Sequence, residues 1–209
     1  MCGRYKVSTP GDELWESFDV HGEDMPPLVP RFNVAPTDRV PVIRFSHKGE
    51  LLRWGIQLPN PKAAGFNVRV ESLGAPFYRD SIRGRRCLIL ADGFYEWKAL
   101  VEAKQPYLIQ RRDRRPFAFA GIWDQVKLKN GDIVDACAIL TTTPRGVMPA
   151  VHDRMPVILH PEHYELWLDP EARYKDALEP DADALELIKV SSLVNSVKND
   201  DARLIEPAS

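Results

Sequence analysis

Eighteen prolines are scattered through this chain of 209 residues, and they set the limits on what it can fold into. Proline has no amide hydrogen to donate and its ring clashes with the preceding helical turn, so each one ends or kinks a helix. A bundle of long helices is excluded. Between the prolines lie short apolar or alternating runs of roughly four to eight residues bounded by turn formers, the pattern of strands. Hydrophobic residues make up 44% of the chain and charged residues 28%, which argues for a packed core and against a disordered tail or a coiled coil. No apolar run approaches the roughly 20 residues of a membrane span, and the opening MCGRYKVS lacks the apolar stretch of a signal peptide.

Residues 9–20 read as a short helix, with Thr9 as N-cap, Pro10 in the first turn, and Leu14, Trp15 and Phe18 on one face. A proline-rich loop at 25–30 leads into RFNVAPT. The runs RVPVIRFS and ELLRWGI flank HKG and predict a hairpin. RCLILADGFYEW reads as a buried strand, a turn at Asp92–Gly93 and a second strand. QPYLIQ, PFAFAGIW and MPVIL are further strands, and Asn130–Gly131 is the strongest two-residue hairpin signal. PEHYELWL and ADALELI read as short helices, and KVSSLVNSV as a return to the sheet. There is no alternation of strand and helix that would build a parallel sheet, and no repeat. The expected fold is α+β: largely antiparallel curved sheets forming a barrel-like core with flanking short helices, in a single domain over 1–209.

The formal net charge is −2, so bulk charge advertises neither nucleic-acid nor membrane binding. Locally, 79–86 (RDSIRGRR) and 111–115 (RRDRR) are basic. Charge runs of this kind serve either as solvated faces or as a local surface for a polyanion. Three cysteines are too few for a disulfide framework, which points to a reducing compartment, cytosol or nucleus. Cys87 and Cys137 sit in apolar runs and read as small core residues.

Cys2 stands apart, in polar company at the start of the chain. With Met1 removed, it carries an α-amine and a thiol on adjacent carbons, with ordinary pKa values of roughly 7.7–8.0 and about 8.5. An aldehyde can condense with the amine to an imine, and the thiol can then close a five-membered thiazolidine. The alternative is a cysteine that packs passively. Glu96, between Tyr95 and Trp97, is either a desolvated carboxylate suited to proton transfer or an outward-facing strand residue. His152 in VHDRMP titrates in the useful range, or simply orients its loop. Asn67 and Arg69 alternate with apolar neighbours and share a strand face, where they can orient a substrate oxygen and hold an anion. Cys2 with His152 and Asn67 also composes a cysteine-protease-like triad. The two histidines of HPEH lack a third ligand at convincing spacing, and no metal or other cofactor is expected.

Several strings, read in order, carry a resemblance: MCGRY at 1–5, RFNVAPT at 31–37, RWG at 53–55, NVRVES at 67–72, RRCLILADGFYEW at 85–97, HDRMPVIL at 152–159 and VNSVKND at 194–200. Over nearly its whole length the chain resembles the SOS response-associated peptidase (SRAP) family, which includes shields of abasic DNA. The resemblance implies a DNA-protein crosslinking activity, with possible AP lyase activity, at abasic sites in single-stranded DNA. Cys2 would form the thiazolidine with the ring-opened aldehyde. Asn67 would orient the deoxyribose and the amine, Glu96 would hold the amine and shuttle its proton, and His152 would act on the sugar-ring oxygen. Arg4, Arg69 and Arg154 match positions that contact phosphates, Trp97 matches an aromatic at the DNA site, and Asn33 a nearby asparagine. A monomer without a membrane partner is implied, working in the cytoplasm at the nucleoid, or in the nucleus of a eukaryote. The family name keeps an autoproteolytic cysteine peptidase as an alternative, and a noncatalytic reader of modified DNA is another. The chain departs from the family in lacking a second tryptophan after Trp54–Gly55, in Leu90 where proline is frequent before ADG, in NVRVES and in TTTPRG.

Overall fold

The structure is a computed structural model that describes residues 2–58 and 65–208. The missing second tryptophan falls largely on 59–64, which lie outside the described residues, as does Met1. The elements run β1 (Arg4–Val7), α1 (Gly11–Glu16), β2 (Arg31–Val34), β3 (Arg39–Ile43), β4 (Gly49–Trp54), β5 (Asn67–Arg69), α2 (Arg79–Gly84), β6 (Arg86–Ala91), β7 (Gly93–Ala99), β8 (Lys104–Arg111), β9 (Phe117–Lys127), β10 (Ile133–Thr142), β11 (Met155–Pro156), α3 (Tyr164–Leu168) and β12 (Leu185–Lys189). None of the helices among the described residues is long and apolar enough to cross a membrane.

Five strands close on themselves. β4 pairs with β3, β3 with β6, β6 with β9 and β9 with β10, all antiparallel, and β10 returns to β4 in parallel. Beyond the point where β4 leaves, β5 continues on β10, again in parallel. The second sheet, in the order β12-β8-β7-β1-β2, is antiparallel throughout. This is the expected α+β architecture with a barrel core. Aromatic packing fastens the second sheet to the barrel: Tyr5 of β1 meets Trp54 edge-on at 5.1 Å and Phe119 at 5.8 Å, and Phe94 of β7 meets Phe119 at 5.9 Å. Cys87 and Cys137 are buried in the core, as their apolar surroundings imply.

Several local expectations give way to tertiary context. Asp92–Gly93 is a crossing between sheets, since β6 belongs to the barrel and β7 to the second sheet. The Asp92 carboxylate accepts hydrogen bonds from Lys6 Nζ (2.8 Å), from the Ser8 and Thr9 amides (2.7 and 2.6 Å) and from both their hydroxyls. Thr9 is therefore bound to Asp92, Pro10 occupies the N-cap position, and α1 is shorter than the predicted 9–20. A Cβ at Gly93 would lie 2.8 Å from Lys6 Cε and 3.0 Å from Leu108 Cδ1, so a larger residue here would push both side chains aside.

Near the C-terminus, residues 182–188 do not form the expected helix. Leu185–Lys189 is a strand, because β8 offers an open edge and the segment pairs along it from Leu185↔Arg111 to Lys189↔Tyr107. Local helix propensity is worth only tenths of a kcal/mol per residue and yields to such a ladder. The following segment, expected in the sheet, forms a 3₁₀ turn at Ser192–Asn195. The β9–β10 hairpin exists, but as a longer loop in which Gly131 adopts φ 95°.

Candidate functional site

The site forms where the first residues of the chain meet the far end of β7 and the edge strand β5. Arg4 lies opposite Tyr95 and Tyr5 opposite Phe94, so continuing that register carries Cys2 toward the Glu96–Trp97 end of β7. From the barrel side, Asn67 Nδ2 donates 2.7 Å to the Cys2 carbonyl oxygen. Asn67 is positioned for this by its pairing with Ile139 of β10. Among the described residues its Oδ1 has no hydrogen-bond partner. Cys2 is fully buried, its thiol a weak donor to the Arg4 carbonyl at 3.7 Å. Burial first, and the Glu96 carboxylate second, push the Cys2 thiol well above its ordinary pKa.

Beside it lies a cavity of about 450 Å³ lined by Glu96, Trp97, Lys104, His152 and Asn195. Glu96 is only 3% exposed, so the carboxylate expected between aromatics is indeed desolvated rather than outward-facing. Trp97 Nε1 donates 2.7 Å to Asn195 Oδ1. His152 sits on the short loop before β11, where its Nδ1 accepts the Arg154 amide at 3.0 Å and lies 2.9 Å from Asp153 Oδ1. Those two contacts require opposite protonation at Nδ1: the amide needs a lone pair and the carboxylate a proton.

The basic residues divide into bonded and unbonded. Arg4 donates to Asn33 Oδ1 (2.9 Å) and to the carbonyls of Val194 (3.0 Å) and Asn195 (3.4 Å). Asn33 in turn donates to the carbonyls of Ser196 (2.9 Å) and Asn199 (2.8 Å). Arg4 and Asn33 thus hold the 194–199 segment that brings Asn195 into the cavity. Arg154 is 8% exposed and forms a two-pronged ion pair with Glu71 (2.7 and 2.9 Å), with a further bond to the Thr141 carbonyl at 2.6 Å. The hydrogen bond from Arg154 holds the Glu71 carboxyl below the usual carboxylate range. Arg69 is exposed, two residues along β5 from Asn67. In the 111–115 run, Arg111 pairs with Asp113 and Asp181, and Arg114 with Glu186. That basic surface is neutralised only in part, since Arg112 and Arg115 form no ion pair among the described residues.

Glu96, Trp97 and His152 therefore share this cavity, while Cys2 and Asn67 are bonded to each other off its walls, with Cys2 close enough to Glu96 to feel its charge. Sequence reasoning did not single out Lys104 or Asn195 on its walls. Lys104 was findable in principle, since pairing DGFYEW with KQPYLIQ as a hairpin sets it beside the end of β7.

Residues 1–197 match the family model described as SOS response associated peptidase (SRAP). The chain is 38% identical over 226 aligned positions to the abasic site processing protein YoqW of Bacillus subtilis (strain 168), covering 99% of both. It is 30% identical to the abasic site processing protein YedK of Escherichia coli (strain K12), covering 99% of this chain and 100% of that one. Among solved structures, a phage-related protein of Bordetella bronchiseptica superposes with a TM-score of 0.73 at 30% identity, covering 90% of this chain and 94% of the other. A Bacteroides thetaiotaomicron protein at 22% identity shares the fold over the full length of both chains, with a TM-score of 0.85. On a family match that spans nearly the whole sequence, together with relatives alike from end to end, the chain belongs to the SOS response associated peptidase (SRAP) family.

Proposed function

We propose that this protein crosslinks itself to abasic sites in single-stranded DNA through Cys2, forming a thiazolidine that shields the lesion. The observation that carries this reading is the setting of Cys2. Asn67 holds its carbonyl at 2.7 Å, the Glu96 charge acts on its thiol, and Glu96 and His152 line the adjoining cavity. Relatives named abasic site processing proteins supply the substrate class.

With Met1 removed, the Cys2 amine attacks the C1′ aldehyde of the ring-opened sugar. Glu96 takes the proton released at nitrogen and returns it to the departing water, while His152 moves a proton at the ring oxygen. The S–H bond then adds across the imine, sulfur to carbon and hydrogen to nitrogen, and the ring closes. A missing base in a single strand leaves room for the chain's first residue, whereas a duplex would have to be opened.

The test is mass spectrometry of the protein after incubation with a uracil-containing oligonucleotide treated with uracil glycosylase. The expected product is the protein without Met1 plus the oligonucleotide minus one water, stable to heat. Reversible binding of modified bases with no adduct would favour the noncatalytic reader. In single-turnover time courses, Glu96→Gln should slow crosslinking roughly 10²-fold by removing proton transfer. His152→Ala should slow both formation and reversal, since a catalyst of one step serves its reverse. Folded variants that react at the unsubstituted rate would remove these roles. Arg69→Ala should lower the dependence of log affinity on log salt by about 0.7, one phosphate contact on a single strand.

A further inference from the structure

Arg4 and Arg154, two of the cations that the family resemblance assigns to phosphates, are already engaged by protein partners. Two lysines on the walls of cavities that reach His152 are not. Lys104 lines the cavity with Glu96 and His152, and Lys98 lines a second cavity of about 390 Å³ whose walls include Pro149, Asp153 and again His152. Neither lysine forms an ion pair or side-chain hydrogen bond among the described residues. Asp153, the acid on the second wall, is turned to His152 Nδ1 at 2.9 Å.

The β7–β8 register explains how they come to flank the site. Lys98 lies opposite Gln105, and Ala99 opposite Lys104. Residues directly opposite share a face and successive residues alternate, so Lys98 and Lys104 project from opposite faces of the same hairpin end. One serves each cavity, and the two cavities meet at His152. Between the lysines, the loop that joins the strands exposes Leu100 and Val101. The arrangement sets one cation on each side of the point where the two cavities meet, and phosphates held there supply salt-dependent affinity.

Resting on the crosslinking function proposed above, we infer that the DNA strand crosses the end of the β7–β8 hairpin. Lys104 holds a phosphate on one side of the abasic residue and Lys98 holds one on the other. The lysines position the strand so that the ring-opened sugar lies between Glu96 and His152. They take no part in the bond making.

The experiment measures single-strand binding across a salt series, and crosslinking across DNA concentrations, with the full chain and an abasic oligonucleotide. Lys98→Gln and Lys104→Gln should each reduce the salt slope by about 0.7, and the double variant by about twice that. Each should raise the DNA concentration for half-maximal crosslinking more than it lowers the rate at saturation. Lys98→Arg and Lys104→Arg should restore the slope, which a purely structural role would not require. Unchanged slopes in both Gln variants, while the unsubstituted protein still crosslinks, would overturn the strand path and leave the function standing. A change at Lys104 alone would also overturn it, placing the strand on one side of the hairpin only. Absence of any adduct with the unsubstituted protein would instead overturn the function.

Discussion

Cys2→Ala is expected to lose the heat-stable DNA adduct entirely and to cut abasic DNA faster than the unsubstituted protein. The variant keeps an α-amine after Met1 removal, so the imine still forms. An imine withdraws electrons from the sugar and acidifies the neighbouring C2′ hydrogen. Loss of that proton expels the 3′ phosphate by elimination, and the strand breaks. In the proposed mechanism the thiol of the unsubstituted protein and the imine nitrogen sit on adjacent carbons, and an intramolecular partner acts at a very high effective concentration. Its addition consumes the C=N bond, removes the electron sink and stops the elimination. The checks are denaturing gels with and without heating, and borohydride, which traps only the imine. An unsubstituted protein that cleaves as readily as Cys2→Ala, with no heat-stable adduct, would sink the shielding function. An uncleaved tag before Cys2 should likewise abolish the adduct, because an amide nitrogen does not form an imine.

The second large effect is on stability. Asp92→Ala should destabilise the fold by about 3–5 kcal/mol, since it strips a buried ammonium of its carboxylate partner. Lys6 and Asp92 are both buried and 2.8 Å apart, and Lys6 is left with only Ser8 Oγ at 3.1 Å. Burial alone would raise the Asp92 pKa, but the Lys6 charge and the hydrogen bonds from Lys6 and Thr9 outweigh it and hold the carboxyl below its ordinary range. A carboxyl depressed in the folded state adds stability above its unfolded pKa, and that contribution is lost as pH falls through the folded value. The penalty of Asp92→Ala, measured from urea unfolding midpoints, should therefore be complete at neutral pH and shrink in strong acid. A penalty that does not change with pH would locate the loss in packing rather than charge. The effect extends to the site, because this network fixes the exit of β1, the strand that leads Cys2 into place.

The sequence by itself determined the class of fold and pointed to Glu96, Trp97 and His152, which share one cavity. Prolines excluded long helices, and period-two apolar runs marked most strands within a few residues, because side-chain alternation is a local property of extended chain. MCGRY, DGFYEW and HDRMP drew attention to Cys2, Glu96 and His152, because polar groups at strand ends interrupt apolar patterns in a legible way. Only the tertiary structure decided where edges and charges found partners. Residues 185–189 became a strand because β8 had an unpaired edge, a fact no local propensity contains. Thr9 left its helix cap for Asp92, more than eighty positions away, because a buried carboxylate must be satisfied. Likewise Arg154 turned to Glu71 while Lys98 and Lys104 stayed open. Which cation meets a carboxylate and which meets solvent depends on distances between segments remote in sequence, and ion pairing falls off over ångströms in space.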